Sequence, residues 1–558
     1  VLTVSRSHQP ASWREWALVV GTSFLLILVL TWPMVPELGS AARLDSGDGR
    51  LSVWNVGWVD HALLTHPTQL LNANIFWPHL GTLAYSEMNL VAGLMGLPAF
   101  WATHNAVAAQ NVAIVASFML AAICTWLLVR RLTGSSGAAF VSAVLYTFCS
   151  FVQGHTAHVQ LLMTFVVPLM MLAFHRLHEA PTVGRSLQLG GALVVAGLAC
   201  GYYGIYGGLF VGFAALVLAK RDRRYWLALA GAGATAAIVI TPFVVPYTRA
   251  REVDKIETSR TDPGLQISAT ASDYMASPAI LENVVVPAAW SPLAPHEFLS
   301  PGLMGFGLCL LAGVVGFRQS RREGRGPSDW RMLWAYLAIT GLAVWASFGP
   351  AYGLYALFMH LVPGIGFVRA PCRFGIDVAL GVAVIAGFGA RFLVKGRPWA
   401  LIPLVVLCAL DRYVGPWPLQ VGGIPNVYRV LATLPPGVVV DYPFPYVLND
   451  LHNHSHAMYY STADWMPRVN GYSDIIPQDF LDIAGPINAF PELPSFALLH
   501  RYQVRYVVWR LTDYKRGSIV FDTLASRFPA ASPYLRRIYG DNDWWLYEIV
   551  GWPPEAMR

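Results

Sequence analysis

A chain of 558 residues that is 55% hydrophobic and 13% charged, with a mean hydropathy of +0.47, is not a soluble globular protein; such a protein would carry about a quarter charged residues. The net charge of +6 does not imply nucleic acid, because most arginines stand in short clusters between apolar runs, where they set membrane topology. The six cysteines contain no CxxC pair and read as packing residues, which excludes a disulfide framework and a zinc site.

The first apolar run, Trp16 to Trp32, follows Arg6 and Arg14 and has no clean small-residue cleavage site after it. It is expected to be a retained helix with its N-terminal end cytoplasmic. Next comes Arg43-Leu-Asp-Ser-Gly-Asp-Gly-Arg-Leu-Ser-Val-Trp-Asn-Val-Gly-Trp-Val-Asp60, which sets three carboxylates just past that helix. Leu51, Trp54, Trp58 and Ala62 fall on one helical face, expected to lie in the membrane interface with its tryptophans at headgroup depth. The piece from Ser86 to Trp101 is short and broken by Gly93, Gly96 and Pro98.

Charge orders the rest. Ala106 to Val129 ends in Arg130-Arg131, so 33–104 reads as one extracytoplasmic loop. Expected spans follow at Ala138–Val152, Val159–Phe174, Leu187–Ala199, Ile205–Ala219, Trp226–Val245, Gly302–Phe317, Trp330–Phe348, Phe374–Leu393 and Ala400–Tyr413. Tyr352–Val362 is too short to cross. The strong basic clusters, including Arg318, Arg321, Arg322 and Arg325, then fall on the cytoplasmic side. The expectation is an α-helical polytopic domain over 1–413 with about 11 spans plus interfacial helices. A water-soluble α/β or α+β domain follows over 414–558, on the outer side.

This ordering gathers Asp45, Asp48, Asp60, Glu87, His155, His158, Glu252, Asp273, Glu282, Arg369 and Arg373 on the outer side. Asp48, between two glycines and close to apolar helices, is the leading candidate base. Asp45 is its alternate, and both also suit capping of the following helix. Asp60 reads as a solvated or helix-satisfying residue. Glu87 could orient an acceptor or bind a metal ion, or serve only as an acid at a helix start. His155 and His158, three apart, could share a metal or meet a phosphate, or be interfacial hydrogen-bonders. Arg369 and Arg373 offer guanidinium forks for phosphate, or snorkel to headgroups. His452, His454 and His456, alternating along the chain, read as a surface loop, with a metal site as the alternative. No phosphate loop, dinucleotide fingerprint or HExxH motif is present in the sequence.

The whole pattern resembles the GT-C superfamily of integral membrane glycosyltransferases, which includes protein O-mannosyltransferases and aminoarabinose transferases. The residues that carry the likeness are Gly47-Asp48-Gly49 with Trp54 and Trp58, Tyr85-Ser86-Glu87, and Gly154-His155 through Gln160. The resemblance implies an inverting transfer at the outer membrane face from a polyprenyl-phosphate-linked sugar to a glycan, lipid or protein acceptor. It also implies Asp48 or Asp45 as the essential acid, and Glu87, His155, His158, Arg369 and Arg373 around the substrate. A divalent metal ion on Glu87 and His155 is a further expectation. The rival reading is a non-catalytic membrane protein that binds or transports lipid-linked sugar or assists envelope assembly.

Overall fold

The computed structural model describes residues 10–253, 267–286, 295–322, 328–362, 364–365, 368–513 and 532–557. Arg6 and Arg325 lie outside the described residues. Five helices among those described are long and apolar enough to cross a membrane: Trp13–Leu30, Ala106–Thr133, Ser136–Gly154, Arg223–Ala250 and Pro371–Val394. Shorter apolar helices span Leu90–Thr103, Val183–Ala199, Gly201–Val217, Leu303–Arg318 and Pro398–Asp411. The protein is a helical membrane protein with a small sheet near its C-terminus.

The chain divides into two compact units. The first comprises Val1–Glu37, Asn111–Pro242 and Thr258–Pro418. Its centre is the helix Gly375–Val394, 14 of whose 20 residues are buried. It packs against Leu303–Arg322, Ser136–Thr147 and Ser328–Ser347. Small residues permit this: a Cβ on Gly389 would run into the backbone of Leu308, and one on Gly387 would crowd Val129 and Ser142. The long helix from Arg223 behaves differently. Only 6% of its apolar window is buried, so its flank is left for lipid. The expected span Ala138–Val152 is broken at Phe148-Cys149 into Ser136–Thr147 and Ser150–Gly154. The expected Val159–Phe174 span starts instead with a 3₁₀ turn, Val159–Leu162, and becomes α-helical only at Val166.

The second unit comprises Leu38–Gln110, Phe243–Glu257 and Leu419–Arg558. The first long loop thus folds with the C-terminal segment. Its sheet orders the strands Val438–Tyr442, Val504–Arg510, Trp544–Ile549 and Leu535–Gly540. The first two are parallel and the remaining pairings antiparallel. Apolar side chains from Val439, Val508 and Leu546 meet Val427, Tyr428 and Leu431 in its core. Backbone bonds stitch the loop to this domain: Trp77 N to Arg468 O at 2.8 Å, Arg468 N to Asn74 O at 2.9 Å, and Ile475 N to Tyr85 O at 3.0 Å.

Within this unit the helix Gly47–Thr65 packs on Leu90–Thr103. The latter has 14 residues, about 21 Å at the rise of an α-helix, which falls short of a bilayer core of about 30 Å. The tryptophan face of the first helix is not an interfacial one. Trp54 and Trp58 are buried in protein, and their indole N–H groups donate to Asn74 Oδ1 and Leu70 O, each at 2.9 Å. A buried indole needs an acceptor, and the loop that follows the helix supplies both.

Candidate functional site

The opening acids divide sharply. Ser46, not an aspartate, caps the helix: its Oγ accepts from Gly49 N at 3.1 Å. Asp48 therefore sits in the first turn, half-buried, without serving as the cap. Asp45 is exposed and held by Arg43 through two bonds of 2.9 and 3.0 Å, and this contact keeps its carboxyl below the usual range. A carboxylate so stabilised is the poorer base.

The two glycines have a different role from the one expected. A Cβ on Gly49 would collide with the carbonyl oxygen of Arg43, and one on Gly47 would come within 2.9 Å of the His452 side chain. They admit the protein's own chain, folding the loop tightly against the helix start. Arg50, buried in the next position, donates to Leu44 O at 2.6 Å and Ser455 Oγ at 2.9 Å. Gly49→Ala is expected to displace this turn and cost about 1–3 kcal/mol, lowering the melting temperature together with any activity. A melt indistinguishable from wild type would contradict the crowding.

Asp60 is not solvated. It is fully buried, and among the described residues neither carboxylate oxygen has a hydrogen-bond partner. Burial raises its pKa to about 8, so at neutral pH it is held mainly as the neutral acid. A raised folded-state pKa means that stability is fully present below the unfolded value near 4 and is lost as pH rises toward 8. Asp60→Asn should flatten the alkaline arm of the melting profile, gaining over wild type between pH 6 and pH 9 (chosen to bracket about 8). Parallel profiles would refute the assignment.

Glu87 lies in Tyr85-Ser86-Glu87, fixed from both sides. Its carbonyl accepts from Asn55 Nδ2 at 3.0 Å, and Ser86 Oγ donates to Asp474 Oδ2 at 3.0 Å. Its side chain is half-buried.

The first unit gathers a separate set. His155 ends the short helix Ser150–Gly154, and the next turn brings His158 to a ring distance of 5.7 Å. His155 Nε2 lies 3.1 Å from Glu297 Oε2, and its Nδ1 lies 2.7 Å from Phe151 O. Arg373 Nε is 4.0 Å from Glu297 Oε1, and its guanidinium carbon stands 4.2 Å over the Tyr202 ring. Burial alone would raise the pKa of Glu297, yet His155 and Arg373 beside it hold it below the ordinary value. Arg369 is exposed.

Glu297 was not singled out in the sequence. Its signal is faint: Pro295-His-Glu297 sits in an irregular loop, where no periodicity marks an inward side chain. Asp273 fixes that loop. Its carboxylate accepts from Thr270 N at 2.7 Å and His296 N at 3.0 Å, and its carbonyl from Leu299 N at 3.0 Å. On the other side, Ile267 N donates to Arg369 O at 2.9 Å and Cys372 N to Ile267 O at 3.1 Å, shaping the bend that carries Arg373.

A divalent ion does not fit these residues. Both ring nitrogens of His155 are already engaged by the protein, Nδ1 at Phe151 O and Nε2 at Glu297 Oε2, so neither is turned to an open ligand position. Among the described residues no three His, Cys, Asp or Glu side chains stand together as a ligand set. No chemical step is assigned to a metal.

These features define a membrane protein of GT-C-like fold with a polar, acid-bearing loop after its first helix. The structure of the arabinofuranosyltransferase AftD from Mycobacteria is similar over 98% of this chain, with a TM-score of 0.54 and 14% identity. The chain spans 41% of the AftD chain. ArnT from Cupriavidus metallidurans is matched over 96% of this chain in the apo state (TM-score 0.44, 13% identity, 98% of ArnT). Its complex with undecaprenyl phosphate is matched over the same share of both chains (TM-score 0.39, 11% identity). Those two scores add nothing to the fold assignment. No family model matches the sequence, and no curated protein is significantly similar to it.

Proposed function

We propose that the protein is a glycosyltransferase of the GT-C type. It takes a sugar from a polyprenyl-phosphate donor and passes it to an acceptor hydroxyl at the outer face of the membrane. The observation that carries this reading is Asp48, a half-buried acid at the head of the first loop whose capping duty is taken by Ser46. It stands on a fold similar to that of AftD, an arabinofuranosyltransferase, which favours a pentofuranosyl donor among the sugars to be tried.

In the reaction the bond from the anomeric carbon to the phosphate oxygen breaks, and its electron pair stays on the phosphate. The acceptor oxygen bonds to that carbon from the opposite face, inverting it, and Asp48 takes the hydroxyl proton. Phosphate leaves readily, so the protein's main tasks are orientation and charge stabilisation. Arg373, braced by Glu297 and Tyr202, supplies a guanidinium for phosphate oxygens. His155 holds Glu297 in place, and His158 and Arg369 are further candidates for donor contacts. Glu87 orients the acceptor.

The test is incubation of the purified protein with a panel of polyprenyl-phosphate pentoses and hexoses and membrane-derived acceptors. Consumption of one donor with release of its lipid phosphate is expected. Failure to consume any of them would set the reading aside.

A further inference from the structure

The second unit contains an open cleft that the proposed chemistry does not use. It holds about 300 Å³, counting the space that opens to solvent. Its wall is a triangle of aromatic rings. The centroids of Tyr428, Tyr460 and Trp544 lie 5.0, 5.6 and 5.7 Å apart. Tyr428 is the buried base, its hydroxyl donating to Asp441 Oδ1 at 2.5 Å. Tyr460 and Trp544 are partly exposed and present ring surface to the opening. Asn453, His456 and Arg510 complete the rim.

We propose that this cleft binds a neutral sugar residue of a glycan. A sugar ring has one face of C–H groups, whose partial positive charge suits the negative face of an aromatic ring. Its hydroxyls both donate and accept, so the rim must do both. The Asn453 amide does so. His456 does so as well, because burial lowers its pKa to about 3 and leaves the ring neutral, with one N–H and one lone pair. The groups facing His456 are Arg50, Arg510 and His452, together with the Tyr460 ring at 6.0 Å. The floor is rigid: Arg468 bridges Asp441 and Asp464 beneath Tyr428. In that floor Arg468 is ion-paired with Asp441, so Asp441 does not face a ligand as a lone carboxylate. Small apolar-walled clefts with a few fixed polar groups are the usual form of ligand sites.

The cleft also adjoins the Asp48 turn. Its rim segment is anchored by Arg50 Nε to Ser455 Oγ at 2.9 Å, and His452 packs against Gly47. The bound glycan would then be the acceptor, a step that rests on the glycosyltransferase reading; sugar binding itself does not.

The experiment is titration of the full chain in detergent, without donor, with neutral pentose and hexose oligosaccharides and with uronate-containing ones, followed by calorimetry. Saturable binding of a neutral oligosaccharide is expected, weakened about tenfold or more by Trp544→Ala and also by Asn453→Ala. Trp544 packs partly on the core, so Asn453→Ala, at the rim, carries the test if the tryptophan variant melts early. No binding to any neutral sugar, tighter binding of the uronates, or binding indifferent to both variants would each overturn the proposal. Donor turnover without such binding refutes the cleft alone. Binding without turnover of any donor refutes the transferase reading alone.

Discussion

Asp48→Asn is expected to lower sugar transfer by about 10²–10⁴-fold, the range that a positioned general base contributes, while the melting temperature stays within error of wild type. The amide keeps the size of the carboxylate and removes its basicity together with its charge, which acts on Arg50. The cap that Ser46 Oγ provides to Gly49 N is retained in the variant. Asp45→Asn is the matched control. It breaks an exposed ion pair with Arg43, a contact worth about 0–1 kcal/mol, so activity should fall less than about fivefold. Equal losses in the two variants would contradict the choice of Asp48. Steady-state transfer and thermal melts on both proteins decide the matter.

Arg468→Met should be the most destabilising single substitution in the C-terminal unit, costing about 3–5 kcal/mol. The arginine is fully buried, 2.6 Å from Asp441 Oδ2 and 2.5 Å from Asp464 Oδ2, with its guanidinium 5.3 Å from the Tyr428 ring centre. Its removal leaves two buried carboxylates without their cation. Burial already lifts the Asp464 pKa to about 6, against the pull of Arg468. Without that pull the folded-state value rises further, so the variant gains protons on folding and loses stability as pH rises. The gap between variant and wild-type melting temperatures should therefore narrow on going from pH 8 to pH 5, below the Asp464 value. A gap that is constant with pH would mean that lost packing, not uncompensated charge, is the cause.

Much of the membrane part could be read from the sequence because a bilayer-facing helix writes its length and apolarity directly into the chain. The runs at Ala106 and Phe374 became helices close to the expected limits, and that at Trp226 a longer one, Arg223–Val253. The breaks could not be read. Phe148-Cys149 is as apolar as its flanks, yet there the chain leaves the helix to bring His155 beside Glu297. Periodicity marked Trp54, Trp58 and Ala62 as covered, but not that residues 52–60 are buried on every side of that helix. An amphipathic face reports that something apolar covers it, and protein covers this one where lipid headgroups were expected. Asp60 was misjudged for the same reason: solvation is the safe assumption for a lone acid, and only the packing of Gly93 and Val59 around it shows otherwise. Of the candidate site, Asp48, His155 and Arg373 could be picked out as polar residues at helix ends. Glu297, Arg468 and Asp441 could not, because Glu297 meets His155 and Arg373, and Asp441 meets Arg468, across long stretches of sequence. The histidine run held a similar surprise. His454, expected on a surface loop, is buried with its ring nitrogens at Pro445 O and Asn470.

The central claim is that the protein breaks a sugar–phosphate bond, which a carrier or binding protein leaves intact. The most direct measurement follows a doubly labelled polyprenyl-phosphate sugar, with tags on the lipid and on the sugar, in proteoliposomes that contain only this protein and an acceptor glycan. Transfer predicts free lipid phosphate and glycan-linked sugar appearing in equal amounts, and neither appearing with Asp48→Asn. Recovery of the two labels still joined, whether bound to the protein or moved across the membrane, would contradict it.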